Sequence, residues 1–432
     1  MIKSEHIIIE DAGVDKKAWV IGVSMGYGHQ RTAFPLRDLA VEGKVININD
    51  YPGIPEKDRK MWAKAQAGYE FISRLRRIPL VGRAIFGLFD EIQKILEFYP
   101  KRDLSKPNFQ LRQTMAQIKR GWGRHLIKEL SKKPLPLIGT FFTVVFMAEH
   151  FGYPGEIYCV VCDTDISRTW APLNPGKSKI KYFAPTLRVA ERLKLYGVRE
   201  DRIFFTGYPL PKENIGSEAM EILKADLKQR IVNLDHRSNY FKKYQDIIEF
   251  KLGKLPQNSD HPLTIMFAVG GAGAQKEIGV KIAQKLAPQI KSGEVKLILV
   301  AGIRQEVRDY FLRHTRGTPV EVIFEKDMES YFKKFNQALR KTDILWTKPS
   351  ELSFYSALGL PIVIAPPIGS QEEFNKRWLL RSGYGFEQRN LEYLDQWLFD
   401  WLERGHFAEA AMQGFIEGEK LGAHRIKKIV FS

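Results

Sequence analysis

Cysteine is nearly missing from this chain: Cys159 and Cys162 are the only two in 432 residues. A disulfide framework is thereby excluded. The C-V-V-C spacing falls inside an apolar run that reads as a strand, where residues three apart face opposite sides. That geometry suits neither a shared metal nor a disulfide, so two buried thiols are expected. Long apolar runs are also lacking, since even 141–148 is interrupted by Thr143 and nothing approaches the roughly 18 residues that span a bilayer. No membrane-spanning helix is expected. The opening MIKSEHIIIED places Glu5, Glu10 and Asp11 around three isoleucines, which is not the apolar core of a secretory signal, so a cytoplasmic protein is expected. Acidic residues are in deficit, 50 against 67 Lys and Arg, for a formal charge of +17. The excess is concentrated: residues 56–133 hold 19 basic and 8 acidic side chains. An anionic ligand or surface is implied. No recognisable nucleic-acid module accompanies the charge, which argues against nucleic acid as the partner.

What the chain does have is a repeated alternation of short apolar runs, turns rich in glycine or polar residues, and helix-like segments. Its length allows two or three cores, and two domains are expected. The run 16–23 reads as a first buried strand, followed by Ser24-Met25-Gly26-Tyr27-Gly28-His29 and a helix over 31–40. Strand, glycine turn and helix in that order open a doubly wound domain. G-Y-G-H lacks the G-x-G-x-x-G spacing, so no nicotinamide cofactor is inferred. Further strands are predicted at 45–48, 135–142, 156–161, 180–183 and 203–205, with helices at 143–151 and 186–196 between them.

Between 55 and 133 the pattern becomes helical, with Trp62, Tyr69, Phe71, Ile78, Leu80, Phe86, Leu88, Phe89, Phe98 and Trp122 interleaved with Arg74, Arg76, Arg77, Arg83, Arg120 and Arg124. Apolar wedges among cations suit an anionic membrane surface. They suit equally a helical insertion packed on its domain with a solvated basic face.

Residues 211–260 are charged and helix-prone without a strand pattern, and read as an interdomain connection. A second domain starts at 263–269, an apolar run followed by Gly270-Gly271-Ala272-Gly273-Ala274-Gln275 and a helix. Backbone N–H groups and a helix dipole make that turn a plausible diphosphate cradle. Strands at 295–300 and 320–324 follow. The stretch 344–380 then reads as strand, turn, helix, strand, loop and helix, with a helix start at Pro349-Ser350-Glu351, a helix over 352–358 ended by Gly359, and a second start at Gly369 to Glu372. Polar strand ends gather at one edge, where ligands bind in such sheets. The segments 391–402 and 408–426 read as amphipathic helices able to pack across the junction.

The motifs S-M-G-Y-G-H-Q-R-T-A, C-D-T-D with Trp170 soon after, F-T-G-Y-P, G-G-A-G-A, T-K-P-S-E and G-S-Q-E-E-F-N stand in an order and spacing that resembles a known family. It is that of the GT-B-fold glycosyltransferases, including monogalactosyldiacylglycerol synthases, processive diacylglycerol glucosyltransferases and the peptidoglycan lipid-intermediate N-acetylglucosaminyltransferase. The likeness covers most of residues 17–210 and 263–380. It implies an α/β chain of two Rossmann-like doubly wound domains facing a cleft: residues 1–210 on the acceptor side with the insertion 55–133, a connection at 211–260, residues 261–404 for the nucleotide sugar, and a helix at 405–432 near the junction.

The implied activity is inverting transfer of a sugar from a nucleotide diphosphate donor, UDP-sugar first among them, to a lipid or other hydroxyl acceptor at the inner face of a membrane. The resemblance implies that Gly270, Gly271, Gly273 and Gln275 face the diphosphate. Gly302, Arg304, Phe324 and Met328 would border the base. Gln371, Glu372 and Asn375 would approach the donor sugar, and Lys348, Ser350 and Glu351 complete the donor side. Gly26, Tyr27 and Gly28 lie on the acceptor side. His29 is the candidate base and Asp163 the second candidate, an imidazole being suited to proton removal near neutral pH. No cofactor or metal is expected, the only Asp-x-Asp being Asp163-Thr164-Asp165 in the acceptor half. The chain departs from the family at Phe354, where a ribose-holding glutamate is usual and for which Glu351 would substitute. It departs again at Tyr27, where the family has glycine. Two other readings remain: a nucleotide-sugar epimerase or hydrolase on the same scaffold, and a non-catalytic nucleotide- or lipid-surface-binding protein.

Overall fold

The computed structural model describes residues 16–75, 95–271 and 273–432. The apolar runs form two six-stranded, all-parallel sheets. The first contains β1 (Trp19–Gly22), β2 (Ile46–Asn47), β3 (Leu137–Gly139), β4 (Ile157–Val160), β5 (Lys181–Ala184) and β6 (Ile203–Phe205), in the order β2-β1-β3-β4-β5-β6. The second contains β7 (Leu263–Ala268), β8 (Val295–Gly302), β9 (Glu321–Phe324), β10 (Ile344–Thr347), β11 (Ile362–Ile364) and β12 (Gly385–Glu387), in the order β12-β11-β10-β7-β8-β9. Strands flanked by helices on both faces must be apolar throughout rather than alternating. L-I-G in β3, I-Y-C-V in β4 and I-L-W-T in β10 are buried at every position. The strand order reverses between β1 and β3, and again between β7 and β10, creating in each sheet one crevice of the kind where such sheets bind ligands.

Several local expectations change under tertiary packing. The helix predicted at 31–40 is a short helix, Gly28–Ala33, running into a 3-10 turn, Phe34–Leu36. Pro35 supplies no N–H to continue the first. The helix predicted at 352–358 is instead a buried 3-10 segment, Glu351–Leu358, closed by Gly359 at φ 65°. Its backbone is crowded from above: a side chain on Gly414 would run into the Ser356 carbonyl. Residues 211–260, expected as a helical connection, carry the helices Glu221–Leu234 and Phe241–Leu252. Helix Glu221–Leu234 lies on the second half, where buried Arg230 donates to the carbonyls of Thr342 (2.8 Å), Leu358 (2.8 Å) and Leu339 (3.3 Å).

The single helix expected over 408–426 is two, His406–Glu417 and Gly422–Phe431. The second crosses back to the first half, where Ala423, Ile426 and Val430 complete a core with Val20, Leu36, Leu39 and Ile138. Arg425 Nη1 donates to the Thr206 carbonyl there, at 3.0 Å.

In the basic insertion, Trp62 and Trp122 are buried and packed ring on ring at 4.5 Å. They belong to the core rather than to a lipid-facing surface. Phe98 is also buried, under the Arg188 guanidinium at 3.7 Å. Ile78, Leu80, Phe86, Leu88, Phe89, Arg76, Arg77 and Arg83 lie outside the described residues, as does Ala272. Among the described residues no helix is long and apolar enough to cross a membrane. Both cysteines are buried and unpaired to each other.

Candidate active site

The first crevice is built where β1 and β3 part. His29 stands in the first turn of helix Gly28–Ala33, and its Nδ1 lies 2.8 Å from the Thr140 carbonyl just past β3. A carbonyl can only accept, so Nδ1 carries the proton and Nε2 keeps its lone pair. The ring is enclosed by Phe141 at 4.6 Å and Trp170 at 6.2 Å. Burial pushes its pKa down to about 4, against the opposing pull of the Thr140 carbonyl and the Glu351 charge. The imidazole is therefore neutral at physiological pH.

Cys162 Sγ lies 3.3 Å from the same Nδ1, and burial raises its thiol pKa well above the ordinary value, so it is a thiol rather than a nucleophilic thiolate. Asp163 follows. Burial pushes its pKa up to about 7, helped by the Glu351 and Glu372 charges and opposed by hydrogen bonds from Asn375 and Cys162. Asp165 does not join it: both its oxygens are held by buried Arg192, at 2.8 and 2.7 Å. The Asp-Thr-Asp motif thus splits into one carboxyl beside Cys162 at the first crevice and one structural ion pair. Among the described residues no cluster of three His, Cys, Asp or Glu side chains is arranged to hold a metal.

The second crevice is built where β7 and β10 part. Gly270 and Gly271 follow β7, and Arg304 Nε donates to the Gly271 carbonyl at 2.9 Å. Gly273 takes φ 66°. Gln275 precedes helix Lys276–Lys285 at φ 65° and donates to the Pro366 carbonyl at 2.8 Å. Lys348, just past β10, lies over Gly270, where any side chain would collide with it, and is ion-paired with Glu372. The other Glu372 oxygen accepts from the Ile368 amide at 2.6 Å. Ser350 precedes the 3-10 segment, and its carbonyl accepts from Ser353 at 2.9 Å. Gln371, in the first turn of helix Ser370–Arg381, is half-buried. Phe324 ends β9 beneath the Arg308 guanidinium, and Met328 opens helix Met328–Leu339, capped by the Asp327 carboxylate.

The two crevices face each other and touch, and three of the expected site residues bond across the cleft. Glu351, expected on the donor ribose, instead pairs with buried Arg31 of the first half at 3.2 Å. Asn375, expected near the donor sugar, is buried and accepts from the amide (3.2 Å) and hydroxyl (2.6 Å) of Thr164 across the cleft. Tyr27, placed on the acceptor side, reaches into the second half: its hydroxyl accepts from the Ile303 amide at 3.1 Å and its ring packs on Tyr331 at 5.2 Å. A methyl on Gly271 would meet Gly26 Cα at 3.0 Å, so the two glycine turns abut. Gly28 is similarly close to Glu351, whose carboxylate would lie 3.3 Å from a methyl there.

Sequence reasoning missed Arg31, Thr140, Thr164 and Tyr331. Arg31 carried no local signal: in helix Gly28–Ala33 it stands in the last turn, where a cation is unremarkable.

Two doubly wound parallel sheets with their switch-point edges facing across a cleft are the GT-B arrangement. Among family models, one described as a domain of unknown function (DUF6938) matches residues 254–337. No curated protein matches the chain. Among solved structures, it is similar to a UDP-GlcNAc 2-epimerase from Neisseria meningitidis bound to UDP-GlcNAc, at 13% identity over 76% of this chain and 83% of that one, TM-score 0.44. It is also similar to MurG from Acinetobacter baumannii (13% identity, 73% and 78% covered, TM-score 0.43) and to a UDP-GlcNAc 2-epimerase from Methanocaldococcus jannaschii in complex with UDP-GlcNAc and UDP (12%, 96% and 99%, TM-score 0.42). At these identities and TM-scores the likeness assigns no residue a role.

Proposed function

We propose that the chain is an enzyme acting on a nucleoside-diphosphate sugar, with the diphosphate at the β7 glycine turn beside Lys348 and His29 as the base. The observation that carries this reading is the meeting of two switch-point crevices, one ending in a neutral imidazole with a free lone pair and the other in a glycine turn beside a lysine. In the transfer reaction, His29 Nε2 takes the proton of an acceptor hydroxyl. The oxygen attacks the anomeric carbon, the bond to the diphosphate breaks, and the electron pair goes to the departing phosphate oxygen. Lys348 and the turn amides stabilise that charge once Lys348 exchanges Glu372 for phosphate. A lipid acceptor and an anionic surface belong to the same proposal. With Trp62 and Trp122 in the core, lipid contact by the described part of the insertion would fall mainly to Tyr99 and Phe109, exposed by 68% and 64%.

A second reading, reaction of the donor alone by epimerisation or hydrolysis, is favoured by the contacts that close the cleft at Gly26, Tyr27, Arg31 and Thr164. Incubating the protein with UDP-sugars, with and without diacylglycerol vesicles, separates the two. Product only with vesicles supports transfer, an isomer or free sugar without them supports the second, and no turnover of any nucleotide sugar removes both.

The pH profile tests the base. Lowering the His29 pKa to about 4 leaves the imidazole deprotonated throughout pH 5.5–8, so kcat/KM is expected to be flat there. Asp163, with its pKa raised to about 7, gains its charge only as pH rises through that value. A rise in rate centred near pH 7 that disappears in Asp163→Asn would move the role of base from His29 to Asp163.

A further inference from the structure

In a sheet of this strand order, the diphosphate lies at the turn after the first strand and the nucleoside extends toward the end of the second, here the Gly302–Arg304 corner after β8. Resting on the nucleotide reading above, that corner is where a base belongs. It is already filled. Tyr27 from the opposite half lies over Gly302, close enough that a methyl on this glycine would sit 2.9 Å from the ring, and Gly302 itself adopts φ 67°. The Tyr27 hydroxyl accepts the Ile303 N–H, and Tyr331 packs against the ring. A planar ring offering an acceptor oxygen to a strand-end amide has the features with which a pyrimidine carbonyl would engage the same amide.

We propose that Tyr27 is a built-in stopper, which holds the nucleobase position in the ligand-free protein and must withdraw before a nucleoside diphosphate can seat. The chain allows the withdrawal. Tyr27 is flanked by glycines on both sides, and Gly26, at φ 83° with open space where a side chain would be, leads directly into it. Burial raises the phenol pKa, so the hydroxyl stays neutral and its hydrogen bond with Ile303 is insensitive to pH over the working range. Apparent affinity for the nucleotide is then reduced by the fraction of molecules with Tyr27 withdrawn.

Titration calorimetry of the full chain with UDP and with pyrophosphate, for wild type, Tyr27→Ala and Tyr27→Phe, tests this. UDP should bind Tyr27→Ala at least about tenfold more tightly than wild type. Tyr27→Phe, which keeps the ring and loses only the hydrogen bond, should bind about threefold more tightly. Pyrophosphate, having no base, should bind all three alike. Should Tyr27→Ala fail to fold, Tyr27→Phe decides by itself. Equal or weaker UDP binding in the variants overturns the stopper while leaving the nucleotide reading intact. Equal tightening of UDP and pyrophosphate also overturns it, assigning Tyr27 to holding the halves together. Failure of UDP to bind any of the three removes the nucleotide reading and the stopper with it.

Discussion

His29→Ala is expected to lower turnover of the sugar nucleotide by about 10²–10⁴-fold, the range general-base catalysis contributes, while its dissociation constant for nucleoside diphosphate changes by less than about twofold. The separation follows from where the ring stands. Its hydrogen-bond partner, Thr140, and its ring neighbours, Phe141 and Trp170, all belong to the first half, whereas the glycine turn and Lys348 belong to the second. Single-turnover rates alongside calorimetric affinity make the measurement. Parallel loss of both would mean that His29 positions the cleft rather than moves a proton, and unchanged turnover would exclude it from the chemistry.

Arg31→Met is expected to cost about 3–5 kcal/mol of folding stability, because removing one member of a buried ion pair leaves the other without compensation. Arg31 is 2% exposed and its partner Glu351 11%. The guanidinium also donates to the Tyr331 hydroxyl at 2.8 Å and lies 4.3 Å from the centre of the Phe335 ring. Adding Glu351→Leu to Arg31→Met should restore most of the loss, since paired apolar replacements avoid the stranded charge. Urea unfolding of the wild type, both single variants and the double variant gives the coupling energy directly. A cost below about 1 kcal/mol for Arg31→Met would show that the charge is solvated despite its burial.

The parts of this molecule legible in its sequence were those fixed by neighbours along the chain. Runs such as L-T-I-M-F-A and I-L-W-T are apolar because both faces of a central parallel strand are covered, and glycine or polar turns follow them at the edge where ligands bind. The pairing of Arg31 with Glu351, 320 positions apart, has no local signature, nor does the bond between Thr164 and Asn375. Both side chains expected on a donor, Glu351 and Asn375, had the chemistry for that role, and the opposite half of the protein supplied partners first. Tyr27 was visible as a departure from an all-glycine turn, but which side of the cleft its ring enters depends on Ile303 and Tyr331, remote in sequence. Gly359 and the helix periodicity around it gave the position of the 352–358 segment. Its 3-10 form, packed closely beneath Gly414, has no such local signature.

Helix Gly422–Phe431 supplies the outer cover of β1 and β3, whose apolar face carries Val20 and Ile138. During synthesis that face stays open until residues 422–431 have been made, long after the strands themselves. A chain stopped near residue 418 lacks that part of the cover and should release the 16–210 region to protease before the 263–387 region yields.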